Sequence, residues 1–365
     1  MRNSHQLMDD DPWKVDAADW PMHGTLNEKL IFLLNYAVLA PSILNTQPWR
    51  FSLADGYIRL EEDCSRRMLV VDPKGRESTI SCGAALMNLQ VAARSFGCDL
   101  KIEVMPKSHP VNTLAAIKLD EQKHHPTEVD QQLREAMKLR RTFRFSFDRR
   151  PVDPHLLHEF SKLARRYNVD LTWIVTHERH RAVAQVVAEA EKVHLSNPDF
   201  RQEIRLWLQR RRSEDHESLR ELYARMGSAS GHSPQSRAHP DQGTLSGAET
   251  ARSFATPESG SARQYALVES SPALVLLATE NDSRSEWLSA GQALQRVLLA
   301  AAVAGLSASY LNPPIELPQL RRELATRFET RVLPQVLLRL GFGRTIPPTP
   351  RRTVRKVLTL SSVVK

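Results

Sequence analysis

Residues Ser81 to Gly97 can be laid over Ser289 to Gly305 without a gap, and the serine, both glycines, an Ala-Leu pair and an Ala-Ala pair coincide. Each stretch reads as an alanine-rich helix, able to approach another helix closely, that ends at a glycine suited to a left-handed C-cap before a strand. The match marks an internal duplication. Two alanine-rich helices can resemble each other by chance, so the flanks matter.

They agree with a duplication. Leu30 to Leu39 followed by Arg50 to Leu53 reads as helix then strand, and so does Leu156 to Tyr167 followed by Asp170 to Val175. After the long helix come candidate strands Leu100 to Val104 and Leu114 to Leu119 in the first half, and Ser307 to Leu311 and Gln335 to Leu340 in the second. Helices interleaved with short strands predict an α+β fold.

The halves differ in length at one place. Phe51 and Ser81 are 30 positions apart whereas Trp173 and Ser289 are 116 apart, so the second half carries about 86 extra residues. His180 to Val193 and Phe200 to Arg212 read as helices, the latter with Ile204, Trp207 and Leu208 in an apolar stripe. Met226 to Ala262 is rich in Gly, Ser, Pro and Thr, which predicts a flexible or disordered stretch. A lid over an active site has this texture, and so has a tolerated ornament.

Composition narrows the function classes. The 365 residues are 41% apolar, enough for a core, yet no run approaches the roughly 18 apolar residues of a membrane helix. Acidic Asp9, Asp10 and Asp11 stand where a signal peptide would be apolar, so a cytoplasmic location is expected. Cys64, Cys82 and Cys98 lack metal-site spacing and read as reduced thiols. The formal charge of +8 comes largely from scattered arginine pairs without interleaved aromatics, which argues against nucleic acid. The pairs His155/His158 and His177/His180 lack a third ligand, and Gly341-Phe342-Gly343 does not continue as a dinucleotide fingerprint.

The loop Ala40-Pro41-Ser42-Ile43-Leu44-Asn45-Thr46-Gln47-Pro48-Trp49 carries the strongest chemical signal. Pro41 stops the preceding apolar helix. Burying Ser42, Asn45, Thr46 and Gln47 is costly without partners, and a flat heteroaromatic ring with alternating carbonyls and ring nitrogens supplies them. An ordinary polar helix-to-strand loop has the same pattern.

The Pro41 to Trp49 loop, the segment Arg140-Arg141-Thr142-Phe143-Arg144, Gly291-Gln292-Ala293-Leu294 and Leu340-Gly341-Phe342-Gly343, in that order, resemble the nitroreductase superfamily. More narrowly, the chain resembles the Acg-type tandem nitroreductase-like FMN-binding proteins from about Leu26 to Arg352. The resemblance implies two tandem α+β repeats that form an intrachain pseudo-dimer around FMN, in a chain that is a monomer or associates further. It divides the chain into an N-terminal extension (1–25), a first repeat (26–125), a second repeat (126–345) holding the insertion at about 195–262, and a C-terminal tail (346–365).

It also implies site roles. Pro41, Ser42, Asn45 and Gln47 approach the ring from the opposite unit; Arg140, Arg141, Thr142 and Arg144 serve the phosphate; Ser309, Tyr310 and Leu311 pass the reactive edge. Arg344, Arg351 or Arg352 adds a cation after the last strand. Guanidinium forks suit phosphate and stay charged. Phe143, Phe145 and Ser146 stand where tandem members commonly have Asn, Arg and Pro, so any bond that the asparagine makes to the cofactor is lost at Phe143. Only the first half has the Pro-Ser loop and only the second is preceded by Arg-Arg-Thr, so one composite FMN site per chain is expected. The implied reaction passes a hydride from NAD(P)H to FMN and then to a small acceptor such as a nitroaromatic or quinone. The alternative is flavin storage or sensing, with the insertion capping the ring.

Overall fold

The computed structural model describes residues 3–54, 56–120, 124–214 and 256–360. Helix α1 (Ser4–Asp9) and two 3-10 turns form the N-terminal extension. Helix α2 (Leu26–Ala37) starts at a capping box of Thr25 and Glu28, and its residues from Leu30 to Ala37 are all buried. Strands β1 (Trp49–Ala54) and β2 (Tyr57–Glu62) follow, then α3 (Arg76–Ser95), β3 (Asp99–Val104) and β4 (Thr113–Asp120). Helix α4 (Glu128–Leu139) leads to the second copy: α5 (Pro154–Arg165), β5 (Asp170–Ile174), α6 (His177–Ser196), α7 (Pro198–Glu214) and α8 (Pro257–Glu269). It continues with β6 (Ala273–Thr279), α9 (Arg284–Val303), β7 (Ser307–Tyr310), α10 (Pro313–Glu316), α11 (Pro318–Arg327) and β8 (Leu333–Gly341). The chain closes with α12 (Val354–Val357) and β9 (Leu358–Leu360).

The mixed α+β class follows, and the two sheets share one topology. The first has the order β3-β4-β2-β1-β9 and the second β5-β6-β8-β7. Read from the other edge, the second is β7-β8-β6-β5, so each strand of the second copy occupies the place of its counterpart in the first. All counterpart pairs are antiparallel. The added strand β9 comes from the far end of the chain and lies parallel to β1, with Phe51 opposite Leu358.

The duplicated helices α3 and α9 pack against each other at their shared glycines. A Cβ on Gly83 would overlap the Leu288 carbonyl oxygen, and one on Gly291 would overlap that of Ile80. Only hydrogen fits there, which is how small residues bring helix backbones together. Along the same seam Gln295 Nε2 donates to Asn88 Oδ1 at 2.7 Å and Gln292 Nε2 to Gln90 Oε1 at 2.9 Å. The glycines that end both helices have the left-handed backbone the sequence predicts, with φ of 81° at Gly97 and 74° at Gly305.

The insertion differs in part from its expected texture. Helices α6 and α7 cover the stretches read as helical, and Val183 and Val187 of α6 pack on Leu274 and Leu276 of β6. Of the stretch expected to be flexible, 226–255 lies outside the described residues. Thr256 to Ala262 instead opens α8, because Thr256 and Ser259 form a reciprocal cap around Pro257 at the first helical position. The tail also has structure: residues 346–353 cross to the first copy before α12 and β9.

No helix among the described residues is long and apolar enough to cross a membrane. Among them no group of three or more His, Cys, Asp or Glu could hold a metal ion.

Substituting Gly83→Ala is expected to destabilise the fold by at least about 1–3 kcal/mol, because the new methyl meets backbone rather than a movable side chain. A lowered urea midpoint with unchanged slope checks this, and an unchanged midpoint contradicts the seam geometry.

Candidate functional site

A cavity of about 410 Å³ opens at the seam, and both copies wall it. Pro41, Ser42, Ile80, Ser81 and Ala84 come from the first; Thr142, Arg144, Leu294, Ser309, Tyr310 and Arg339 come from the second. The insertion forms the roof, with Phe200, Ile204, Trp207 and Leu208 of α7 and Arg263 and Leu267 of α8. The size is within the roughly 300–1,000 Å³ of small-molecule pockets, and the wall is mostly apolar with a few polar groups.

The Pro-Ser loop is strained. Leu44, Asn45 and Gln47 have φ of 44°, 57° and 50°, a left-handed region that costs a non-glycine residue about 1–3 kcal/mol. Several neighbours fix the conformation together. Ser42 Oγ accepts from the Gln47 backbone N–H at 2.9 Å, and Arg66 Nε donates to the Thr46 carbonyl at 2.6 Å. Trp207 Nε1 donates to the Leu44 carbonyl at 3.1 Å, tying the roof to the loop. Glu203 of α7 accepts from the backbone N–H groups of Val70 and Val71 at 2.9 and 3.0 Å, a second tie.

Six of the sequence-predicted site residues meet at the cavity: Pro41, Ser42, Thr142, Arg144, Ser309 and Tyr310. Thr142 and Phe143 reach there as a short bridge beside β7, with the Phe143 N–H donating to the Ala308 carbonyl at 2.8 Å. Tyr310 is held by burial with its hydroxyl pKa pushed up to about 12.

Asn45 and Gln47, expected to face a ring, engage the crossing tail instead. Asn45 Nδ2 donates to the Pro350 carbonyl at 3.0 Å and Asn45 Oδ1 accepts from Arg351 Nη1 at 2.9 Å. Gln47 Oε1 accepts from the Arg352 N–H at 2.8 Å, and the Gln47 carbonyl accepts from Arg352 Nη1 at 3.2 Å. The Asn45 and Gln47 side chains therefore bind the half-buried tail. Leu311 likewise packs into the core, its N–H donating to the Leu337 carbonyl at 2.8 Å. Arg344 is exposed, with its guanidinium over Phe145 at 5.0 Å, away from the cavity wall.

Two groups of arginines stand at the site. Arg140 and Arg141 are just outside the cavity wall, where Arg141 and Arg351 flank the Trp13 ring at 4.6 and 5.3 Å. Burial lowers the pKa of Arg140, and burial followed by the Arg140 charge brings Arg141 down to about 10. The Nε atoms of Arg140 and Arg141 are buried without a hydrogen-bond partner. The second group, Arg144, Arg263 and Arg339, is in the wall itself. Arg339 is 1% exposed; its Nη2 donates to the Phe143 carbonyl at 3.1 Å while Nε and Nη1 have no partner.

The sequence reading did not single out Arg339, Arg263 or Trp207's tie to the loop. Arg339 left a signal, a lone charge inside the apolar run Val336-Leu337-Leu338-Arg339-Leu340, where every position of the strand interior is buried.

Two Mycobacterium tuberculosis proteins are similar to this chain, and both are named "Putative NAD(P)H nitroreductase". The one further labelled Rv3131 is 30% identical over 331 residues, covering 89% of this chain and 90% of that protein. The one labelled acg is 28% identical over 339 residues, covering 88% and 92%. The chain belongs to the nitroreductase superfamily. Among solved structures, the FMN and NADPH-dependent nitroreductase NfnB from a Sphigopyxis strain aligns with a TM-score of 0.42 at 19% identity, covering 63% of this chain and 99% of that one. No family model matches.

In this superfamily member Trp207 anchors the roof to the Pro-Ser loop. Replacing Trp207→Ala removes a buried indole and the bond to Leu44, and is expected to raise amide exchange across α7 by at least about tenfold while α3 stays protected. Equal exchange in α7 before and after the substitution contradicts the docking role given to Trp207.

Proposed function

We propose that the chain is an FMN-dependent oxidoreductase of nitroreductase type that takes electrons from NAD(P)H and passes them to a small acceptor such as a nitroaromatic or quinone. The observation that carries the reading is the pairing of a mostly apolar cavity with guanidinium groups of Arg140, Arg141 and Arg339 that each keep at least one buried donor nitrogen without a partner. Desolvated cations without partners are costly, and an anionic ligand offsets that cost.

The residues present fit FMN. Arg140 and Arg141 would hold the phosphate, with Thr142 adding a hydroxyl. Ile80, Ala84 and Leu294 offer an apolar slab to one ring face, and Ser42, Ser309 and Tyr310 offer polar groups at its edges. Phe143 stacks with Phe147 at a centroid distance of 5.3 Å, so the side chain that replaces the tandem family's asparagine faces an aromatic cluster. Bound FMN supplies the hydride chemistry, while the protein orients, excludes water and sets the local charge.

The matching sheets and the glycine seam support reading residues 26–125 and 126–345 as two repeats that make an internal pseudo-dimer. The Pro-Ser loop comes from one and the Arg-Arg-Thr segment from the other, so a single composite site per chain follows. The described part of the tail, 346–360, reaches from the second repeat to the first. A cytoplasmic location, where NAD(P)H is at hand, accords with this reading.

A second reading is favoured by the roof. With Trp207 and Glu203 latching α7 down, the same site could store or sense flavin and resist turnover. Anaerobic mixing with NADPH separates the two. Bleaching of the flavin absorbance within seconds in the wild-type protein supports the reductase. Bleaching that is slow in the wild type and accelerates at least about tenfold in Trp207→Ala supports the cap. If the purified protein is colourless and added FMN changes neither its fluorescence nor the melting temperature, both readings fall.

A further inference from the structure

Glu77 is in the first turn of α3, one turn before Ile80, Ser81 and Ala84, and it is buried while forming part of the cavity wall. Asp72 fixes that turn by accepting from the Glu77 and Ser78 backbone N–H groups at 3.1 and 2.8 Å. Arg76 Nη2 donates to Glu77 Oε1 at 3.0 Å. Arg76 is itself tied back, because its Nη1 donates to the Gln335 carbonyl at 2.5 Å and Arg321 Nη2 donates to Gln335 Oε1 at 3.0 Å. The Asn312 side chain also hydrogen-bonds Glu77. Its Oδ1 accepts from the Leu337 N–H at 3.1 Å, which leaves its N–H edge for the carboxyl. The Glu77 carboxyl is thus held by two donors that are themselves fixed, and it lines the cavity.

Burial pushes the Glu77 carboxyl up to about 7, with Arg76 opposing the shift and the Asp72 charge adding to it. Tyr310, on β7, feels the Glu77 charge. The other charged groups of the wall are Glu191 on α6, Glu316 on α10, and Arg144, Arg263 and Arg339, and none of them acts on Glu77 as strongly as Arg76 or Asp72.

Reducing an organic acceptor takes protons as well as electrons. A quinone that gains a hydride becomes a hydroquinone monoanion, and one proton completes the hydroquinone. We propose that Glu77 is the general acid of this cavity and gives its proton to the acceptor oxygen that turns negative on reduction. The proposal rests on the reductase reading above. The hydride comes from NAD(P)H by way of the flavin. The Glu77 O–H bond breaks as the acceptor O–H bond forms, and Arg76 and Asn312 hold the carboxylate left behind until water returns the proton. A general acid works best with a pKa near the working pH, and Tyr310, pushed up to about 12 by burial, holds its proton too tightly for the role.

The test joins spectroscopy to kinetics. Infrared difference spectra of the full-length protein should show a protonated-carboxyl band that is lost as the pH rises through about 7 and is missing in Glu77→Gln. Turnover with NADPH is then compared for a benzoquinone and for ferricyanide, which takes an electron and no proton. Wild-type quinone turnover should fall at least about tenfold between about pH 6 and about pH 9 relative to ferricyanide turnover, and it alone should slow in heavy water. Glu77→Gln should hold quinone turnover at the low level across that range while ferricyanide is still reduced. A wild-type quinone profile that parallels the ferricyanide profile overturns the assignment, and this measurement stands even if Glu77→Gln does not fold. So does a carboxyl band that persists in Glu77→Gln, or an equal loss of both activities in the folded variant, which would make Glu77 structural. Wild-type flavin that NADPH does not bleach overturns the reductase reading, and the proposal with it.

Discussion

Where α3 and α9 cross, Gly83 and Gly291 leave no room for a Cβ, and the backbones meet through hydrogens alone. That contact determines how the two sheets stand relative to each other, because each sheet packs on its own long helix. It also brings Ile80, Ser81 and Ala84 beside Leu294, so the cavity wall begins one turn from the crossing. The polar ties Gln295–Asn88 and Gln292–Gln90 keep the helices from sliding, at 2.7 and 2.9 Å. A bulkier residue at either glycine would separate the two walls and open the cavity along its length.

From that seam outward, the chain spends local stability on its site. Three left-handed residues in the Pro-Ser loop, together costing several kcal/mol on the order of 1–3 each, are held by bonds from four separate parts of the sequence. Ser42, Arg66 and Trp207 each contribute one, and the tail from Pro350 to Arg352 contributes four. The buried arginines add a second cost, visible as pKa values lowered to about 10 at Arg141 and about 9 at Arg339. Strain and uncompensated charge gathered around one cavity are what a ligand site looks like before its ligand arrives.

Much of the fold was legible in the sequence, and the exceptions have physical reasons. The duplicated helices, their glycine caps and six strands follow from periodicity and turn chemistry. Strand β6 was missed because Ala273 to Thr279 is buried on both faces, so its run Ala-Leu-Val-Leu-Leu-Ala-Thr has no alternation to read. Strand β2 was missed for the opposite reason, since Arg59, Glu61 and Glu62 break its apolar pattern while ion pairs such as Glu62 with Arg67 at 2.8 Å make their burial tolerable. At the site, Pro41, Ser42, Thr142, Arg144, Ser309 and Tyr310 converge from both ends of the sequence. The fates of Asn45 and Gln47 depended on a tail some 305 residues away, which no local pattern encodes.

The proposed FMN reading requires one composite site built from two unequal halves of a single chain. Its most direct measurement is flavin stoichiometry combined with mass: light scattering on the FMN-saturated protein, with flavin counted from absorbance after denaturation. One FMN is expected for each 41.4 kDa chain, already complete in the monomer. Two FMN per chain, or flavin bound only when chains dimerise, would contradict it.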